Sequence, residues 1–193
     1  MNDPQPASPQ QENGPLRDAW GRRIHYLRVS VTDRCNLRCQ YCMPEEGVAP
    51  LRHEDILSYE EILDFVQTAV GLGVDKVRVT GGEPLVRAGL VAFIARLSQI
   101  QGLQDLSLTT NATLLPRFAD SLKQAGLHRI NISLDTMDPT RYAELTRRGS
   151  LEDAIEGIET ALRVGFDPIK LNCVVDASRD EPDAKAVAEF ATK

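Results

Sequence analysis

The chain has 193 residues, of which 42% are apolar and 26% charged, and this length and balance suit one globular domain with its own core. Its formal net charge of −6 excludes nucleic acid as a general partner, because no basic excess is available to neutralise phosphates. No apolar run approaches the ~18 residues of a membrane span, and the N-terminus lacks the plan of a signal peptide, which predicts a cytoplasmic protein without membrane contact.

A polar N-terminal segment precedes alternating strand and helix patterns. Residues 1–16 are rich in Pro, Gln, Asn and Ser and predict a disordered tail, which leaves 17–193 as the core domain. Short β-branched or apolar runs predict strands at 27–32, 76–80, 106–109, 130–134 and 169–175. Helical periodicity predicts helices from the Ser58 capping box to Gly73 and over 90–100, 114–125 and 151–164, with one more from 183. In the helix over 151–164, the residues predicted to face the core are Ala154, Ile155, Ile158 and Leu162.

Strands that alternate with helices predict right-handed crossovers and a parallel sheet of the α/β class. The sheet is either barrel-like or open and doubly wound. No G-x-G-x-x-G follows the first strand, which disfavours a dinucleotide-binding fold. Distinctive polar residues instead follow several strands, as expected for the active edge of a (β/α) barrel. Five strands cannot close a barrel, so we predict a partial one, truncated after about five strands.

Three cysteines, Cys35, Cys39 and Cys42, form a C-x3-C-x2-C motif. Three thiolates can hold a four-iron cluster by three of its irons and leave the fourth iron open to a small molecule. The alternatives are a structural zinc site or unrelated buried thiols. Zinc requires four ligands, and the remaining cysteine, Cys173, lies far along the chain, where it is predicted to be a buried apolar residue of a strand. The motif therefore favours a catalytic iron–sulfur cluster.

A Gly81-Gly82-Glu83-Pro84 turn follows the second predicted strand directly. Two glycines allow the backbone to approach a ligand closely, and Glu83 offers an acceptor. Asp135, after the fourth strand, is either a helix N-cap or a site residue. Arg147 and Arg148 are interpreted as part of a solvated loop, and we assign them no role.

The cysteine motif with Tyr41 before its last cysteine, together with the GGEP turn, resembles the radical S-adenosylmethionine superfamily. Further segments are similar to one family within it, the GTP 3′,8-cyclases that begin molybdenum-cofactor biosynthesis. These segments are LRVSVTDRCNLRCQYCMP (27–44), KVRVTGGEPLVR (76–87), TTN (109–111), INISLDTM (130–137) and KLNCV (170–174). The resemblance runs from about residue 20 to residue 176.

The resemblance implies a lyase built on a partial (β/α)6 barrel. Adenosylmethionine would chelate the open iron of one [4Fe-4S] cluster, and an electron from the reduced cluster would cleave it to a 5′-deoxyadenosyl radical. GTP would then be converted to (8S)-3′,8-cyclo-7,8-dihydroguanosine 5′-triphosphate. The implied metal ligands are Cys35, Cys39 and Cys42, and no further catalytic residue is assigned. The implied adenosylmethionine contacts are Tyr41, Gly82, Glu83 and Ser133. The implied GTP contacts are Arg28, Arg78, Thr109 and Lys170.

The chain also departs from the family pattern. Full-length members carry a second cysteine triad for another [4Fe-4S] cluster and a C-terminal Gly-Gly, and neither occurs in this sequence. We therefore expect the N-terminal portion of such an enzyme, and cyclase activity of the chain alone is left open. Expected partners are GTP, a reductant protein for the cluster and a second copy of the chain. The alternatives are another radical enzyme, such as a peptide-modifying maturase, or a relative that binds the cofactor without turnover.

Overall fold

The computed structural model describes residues 14–49, 51–52, 55–176 and 181–192. Within these residues, strands and helices alternate along the chain. The strands are β1 (Tyr26–Ser30), β2 (Lys76–Thr80), β3 (Asp105–Thr110), β4 (Arg129–Ser133) and β5 (Ile169–Asn172). The helices are α1 (Tyr59–Gly71), α2 (Leu90–Ser98), α3 (Leu115–Gln124), α4 (Pro139–Thr146), α5 (Leu151–Arg163) and α6 (Glu181–Ala191). A short 3-10 helix, Pro84–Val86, follows β2.

The five strands form one parallel sheet in the order β1-β2-β3-β4-β5. Consecutive strands are therefore neighbours throughout, as in a (β/α) barrel, and the doubly wound alternative is wrong. In the part of the chain described above, β1 and β5 each pair on one side only, so the sheet is open. The prediction of a partial barrel is confirmed.

The two faces of the sheet differ in chemistry. Side chains alternate between faces along each strand, and paired residues of neighbouring parallel strands share a face. One face carries the register row Val29, Val79, Leu108 and Ile130, which is buried in a single core with apolar residues of the helices. The opposite face, here called the polar face, carries the rows Arg28-Arg78-Ser107 and Thr109-Asn131-Lys170.

Local signals explain several element ends. Ser58 and Glu61 form the predicted capping box at the start of α1. Helix α4 was not predicted, although Asp138 caps it by accepting from the backbone of Arg141 and Pro139 occupies its first turn. The N-cap in this segment is therefore Asp138, and Asp135 lies in the loop before it.

Two predictions about the core are wrong. Leu162 does not face the core but is 55% exposed. The buried face of α5 continues from Ala154 and Ile158 to Ala161, and the next residue is rotated about 100° away from it. Strand β5 ends at Asn172 rather than at residue 175, so Cys173 lies just beyond it and is only partly buried.

The predicted tail lies mostly outside the described residues, since residues 1–13 are not among them. At its end, the backbone N–H of Leu16 donates to the Leu72 carbonyl at 3.1 Å, which attaches this residue to the end of α1. Among the helices described, none is both long enough and apolar enough to cross a membrane.

Candidate functional site

The carboxyl ends of the five parallel strands meet at one edge of the sheet, where active sites of (β/α) barrels are built. The segment after β1, residues 31–49, contains the three cysteines of the motif and is here called the cysteine loop. The GGEP turn follows β2, Asn111 follows β3, Asp135 follows β4 and Cys173 follows β5. The polar residues that the sequence placed at strand ends therefore share this edge.

The GGEP turn holds the beginning of the cysteine loop. The backbone N–H of Gly82 donates to the Thr32 carbonyl at 2.7 Å, and that of Glu83 donates to the Arg34 carbonyl at 2.8 Å. A Cβ atom on Gly82 would overlap the Arg34 carbonyl. The sequence suggested that these glycines let the backbone approach a ligand. In the structure, Gly82 instead lets the turn approach the backbone of the cysteine loop, where a Cβ atom would not fit.

Glu83 is a buried carboxylate, only 1% exposed. Its Oε1 accepts from the Leu85 backbone at 3.1 Å and from the Thr110 hydroxyl at 2.9 Å, and its Oε2 accepts from the Asn111 backbone at 2.8 Å. Burial raises the pKa of this carboxyl, and the three donors partly offset the rise. The carboxylate therefore ties the GGEP turn to the end of β3, which leaves little acceptor capacity for a ligand.

A closed ring of side-chain hydrogen bonds lies beside Cys35, the first cysteine of the motif. Asn111 donates to Asn36 at 2.9 Å, Asn36 donates to Thr113 at 2.9 Å, and the Thr113 hydroxyl donates back to Asn111 at 2.8 Å. The Cys35 sulfur lies 4.0 Å from the Asn111 amide nitrogen and accepts from the Leu37 backbone at 3.3 Å. The ring fixes the cysteine loop against the segment after β3.

Two arginines that sequence reasoning did not select also hold the cysteine loop. Arg147 lies in an exposed loop, as predicted, but it also donates to the carbonyls of Arg38 and Met43 at 2.9 and 3.2 Å and so has a role that the sequence did not assign. Arg38 donates to the Cys35 carbonyl at 2.6 Å. Their only sequence signal was proximity to the motif or to a helix end, because their acceptors are backbone carbonyls that any residue supplies.

We expect Thr113→Val to loosen the cysteine loop without changing the shape of the side chain. The substitution removes one acceptor and one donor from the asparagine ring, and a partly buried hydrogen bond contributes about 1 kcal/mol to stability. Thermal unfolding should move to lower temperature, and reconstituted iron should dissociate faster in the presence of a chelator.

Thr68→Val is the matched control, because the Thr68 hydroxyl donates to the Asp64 carbonyl within α1, outside the cysteine loop. The interpretation of the ring fails when both variants release iron at the wild-type rate.

Three of the four cysteines lie within eight positions of the sequence, and none of the four is in a disulfide. Cys35 and Cys39 are partly buried and Cys42 is exposed. Burial, followed by the charges of Cys35, Asp135 and Cys42, raises the pKa of Cys39 to about 11. Burial also raises the pKa of Cys35. A metal that binds here must therefore displace protons from neutral thiols.

Within the described chain, no three His, Cys, Asp or Glu side chains converge closely enough for a single metal ion. A four-iron cluster does not require such convergence, since each thiolate binds a different iron and the sulfurs stand apart. Three free thiols in one anchored loop, with the third exposed, fit this donor set better than that of a structural zinc site, which takes four ligands around one ion.

Beside the cysteine loop lies a small cavity, of about 30 Å³, whose lining includes Cys39, Tyr41, Ser133, Asp135 and Tyr142. The Tyr41 hydroxyl donates to Asp135 at 2.6 Å, although the side chain is 54% exposed. Burial and the Asp135 carboxylate together raise the pKa of Tyr41. Two of the residues predicted to contact adenosylmethionine, Tyr41 and Ser133, therefore lie beside Cys39, and Asp135 joins them.

The four residues predicted to contact GTP share the polar face. Arg28 and Arg78 are register partners on β1 and β2, and Thr109 and Lys170 lie in one row, separated by Asn131. The Nε of Arg78 and the hydroxyl of Thr109 are buried and have no hydrogen-bond partner among the residues that the structure describes. The Arg78 guanidinium lies 5.4 Å from the centre of the Tyr26 ring. The register places both arginines on the face opposite the row that packs against the helices.

Comparison with known families gives a match to the radical SAM superfamily over residues 29–191. Two similar curated relatives are named GTP 3′,8-cyclase. The one from Alkaliphilus oremlandii is 55% identical over 159 residues, which are 82% of this chain and 50% of the relative. The one from Geobacter sulfurreducens is 52% identical over 176 residues, which are 91% of this chain and 53% of the relative. The chain thus spans about half the length of these relatives.

Among solved structures, SuiB of Streptococcus suis bound to its precursor peptide SuiA is similar, with a TM-score of 0.71. The two are 18% identical, and the match covers 92% of this chain and 37% of that one. At this identity the likeness shows a shared fold and nothing about substrate.

Proposed function

Because this chain belongs to the radical SAM superfamily, we propose that it is the N-terminal catalytic portion of a GTP 3′,8-cyclase, a lyase of molybdenum-cofactor biosynthesis. The observation that carries the substrate assignment is the pair of arginines, Arg28 and Arg78, side by side on the polar face. The names of the relatives support the same reaction.

The superfamily works with a [4Fe-4S] cluster and S-adenosylmethionine, which together supply a 5′-deoxyadenosyl radical when bound. We assign the cluster to Cys35, Cys39 and Cys42. The Tyr41 and Ser133 side chains, which line the cavity beside Cys39, are assigned to adenosylmethionine, as is the backbone of Gly82. Glu83 was expected to accept from this cofactor directly, and its three internal donors favour a supporting role in which it fixes the GGEP turn.

The polar face is suited to a polyphosphate. Like charges on directly paired residues of neighbouring strands are destabilising, so the Arg28–Arg78 pair costs stability unless an anion lies between them. A nucleoside triphosphate brings about four negative charges, which Arg binds through its planar fork and Lys through a point charge. Thr109 and Lys170 add a hydroxyl and a cation in the neighbouring row. The Nε of Arg78, which has no hydrogen-bond partner in the described part of the chain, supports the same assignment.

We expect Arg78→Ala to weaken GTP binding by about 10–100-fold, because hydrogen bonds to charged groups contribute about 1.5–3 kcal/mol. Isothermal titration calorimetry of the anaerobically reconstituted chain with GTP measures the change. The unliganded variant should unfold at the wild-type temperature or above it, since the substitution also relieves the repulsion from Arg28.

Arg96→Ala is the matched control, because Arg96 lies on α2 and pairs with Glu60 of α1, away from the polar face. Equal GTP affinity in Arg78→Ala and Arg96→Ala would remove the substrate assignment. That result would favour another radical enzyme class, such as a peptide-modifying maturase, which shares the cysteine loop but has no need of paired arginines. A chain that binds both cofactor and GTP without forming 5′-deoxyadenosine would instead be a binding relative without turnover.

Three further assignments belong to this proposal. We propose a cytoplasmic location, a reductant protein that supplies the electron to the cluster, and a homodimer. A second [4Fe-4S] cluster is expected only with the further sequence that the full-length family carries.

A further inference from the structure

Tyr142 has a deeply buried hydroxyl. The side chain belongs to α4 and is 3% exposed. Within the described residues, its oxygen makes no hydrogen bond to the protein. An unsatisfied buried hydroxyl costs about 1–3 kcal/mol. Phenylalanine would fill the same space without this cost, so packing of the ring does not account for the hydroxyl.

The ring is fixed at the cavity beside the cysteine loop. Tyr142 lines this cavity together with Cys39 and Asp135. A Cβ atom on Gly149 would come within 2.9 Å of the ring, so the absence of a side chain there makes room for it. A phenol hydroxyl can donate one hydrogen bond, and at this place it has room to donate only toward the cavity or the residues that line it.

Asp135, the charged acceptor that lines this cavity, already accepts hydrogen bonds from other donors. The Asp135 carboxylate accepts the Tyr41 hydroxyl at 2.6 Å through Oδ2 and the Val174 backbone N–H at 2.9 Å through Oδ1. Metal binding would convert the neutral thiol of Cys39 to a thiolate and bring sulfide ions beside it. These sulfurs are acceptors that the cavity gains only when the cysteine loop is loaded.

We propose that the Tyr142 hydroxyl donates a hydrogen bond to a sulfur of the cluster held by the cysteine loop and makes that cluster easier to reduce. The inference rests on the proposed function, which assigns a [4Fe-4S] cluster to Cys35, Cys39 and Cys42. A hydrogen bond to a cluster sulfur stabilises the additional negative charge of the reduced form and so raises the reduction potential. In this role Tyr142 changes the reduction potential of the cluster and does not contact the substrate.

The test is the reduction potential of the reconstituted full chain carrying Tyr142→Phe. An anaerobic titration with dithionite, followed by the EPR signal of the reduced cluster, gives this potential. We expect reduction to become about tenfold less favourable, a shift of ~59 mV to more negative potential for one electron. Tyr59→Phe is the matched control and should leave the potential unchanged. The Tyr59 hydroxyl is also buried and has no partner among the described residues, but its ring stacks on Phe93 of α2, outside the cysteine loop.

The iron content distinguishes a failure of the cluster assignment from a failure of the role proposed for Tyr142. Failure of the wild-type chain to bind four irons would overturn the assignment of the cluster, whereas an unchanged potential in a fully loaded Tyr142→Phe chain would overturn only the role of Tyr142. If Tyr142→Phe does not load, 3-fluorotyrosine incorporated at position 142 decides instead. Its hydroxyl is a stronger donor, so the potential should rise, and an equal or lower potential would contradict the inference.

Discussion

Replacing Cys39 by alanine should abolish assembly of the iron–sulfur cluster. Cys39 is the central cysteine of the loop, and its thiol is partly buried beside the cavity that Tyr41 and Ser133 also line. Loss of an outer-shell partner alone typically lowers metal affinity about 10–100-fold, so loss of one of three ligands should exceed that range. Iron and sulfide analysis after anaerobic reconstitution, together with EPR of the dithionite-reduced chain, measures the effect.

Cys173→Ser is the control, because it removes the one cysteine outside the loop. Its sulfur lies 3.4 Å from the Asp135 carbonyl, and serine can keep a hydrogen bond to that oxygen. This variant should retain the wild-type iron content and the wild-type response of the EPR signal to adenosylmethionine. A full four-iron cluster in Cys39→Ala, or its loss in Cys173→Ser, would show that the three-cysteine assignment is incorrect.

Elements with a strong local signal could be predicted closely from the sequence. The strand over Lys76–Thr80 and the capping box at Ser58 were correct to the residue. The end of β5 and the exposure of Leu162 were not, because both depend on which neighbour covers the residue rather than on its hydrophobicity. Tertiary contact overrides local pattern in such places.

The candidate site also contains residues that the sequence could predict and residues that it could not. Its cysteines and the GGEP turn are visible as motifs, whereas the groups that hold them are not. Arg147 donates to carbonyls more than 100 positions away in the chain. Glu83 accepts from Leu85 of its own turn and from Thr110 and Asn111 at the end of β3. A backbone acceptor leaves no mark on the sequence, so such contacts emerge only when the chain is folded.

One hydrogen-bonded path connects the two motifs. Glu83 accepts from the Asn111 backbone, the Asn111 side chain donates to Asn36, and Asn36 is adjacent to Cys35. In parallel, the backbone of Gly82 and Glu83 holds the loop directly. The GGEP turn therefore supports the cysteine loop in addition to any contact with adenosylmethionine. A substitution that disturbs the turn should lower the amount of iron that the loop binds.

Gly82→Ala should test this coupling with a single added methyl group. The new Cβ would overlap the Arg34 carbonyl and approach the Asp33 carbonyl, and both are backbone atoms that cannot rotate away. Overpacking of this kind costs about 1–3 kcal/mol, and relief requires the cysteine loop to move away from the turn. We therefore expect a lower temperature of unfolding and, because Cys35 follows Arg34 directly, a loss of most reconstituted iron.

Gly71→Ala makes the same chemical change where nothing lies within 4 Å of the new Cβ. Gly71 ends α1, and alanine in a helix should be more stable than glycine by about 0.5–1 kcal/mol, so this variant should unfold at a higher temperature and load iron normally. Comparing Gly71→Ala with Gly82→Ala distinguishes the effect of an added methyl group as such from the effect of placing it against the cysteine loop. If Gly82→Ala kept both its unfolding temperature and its cluster, the glycines of the turn would be free to serve a ligand alone, and the hydrogen bonds from the GGEP turn to the cysteine loop would not control the site.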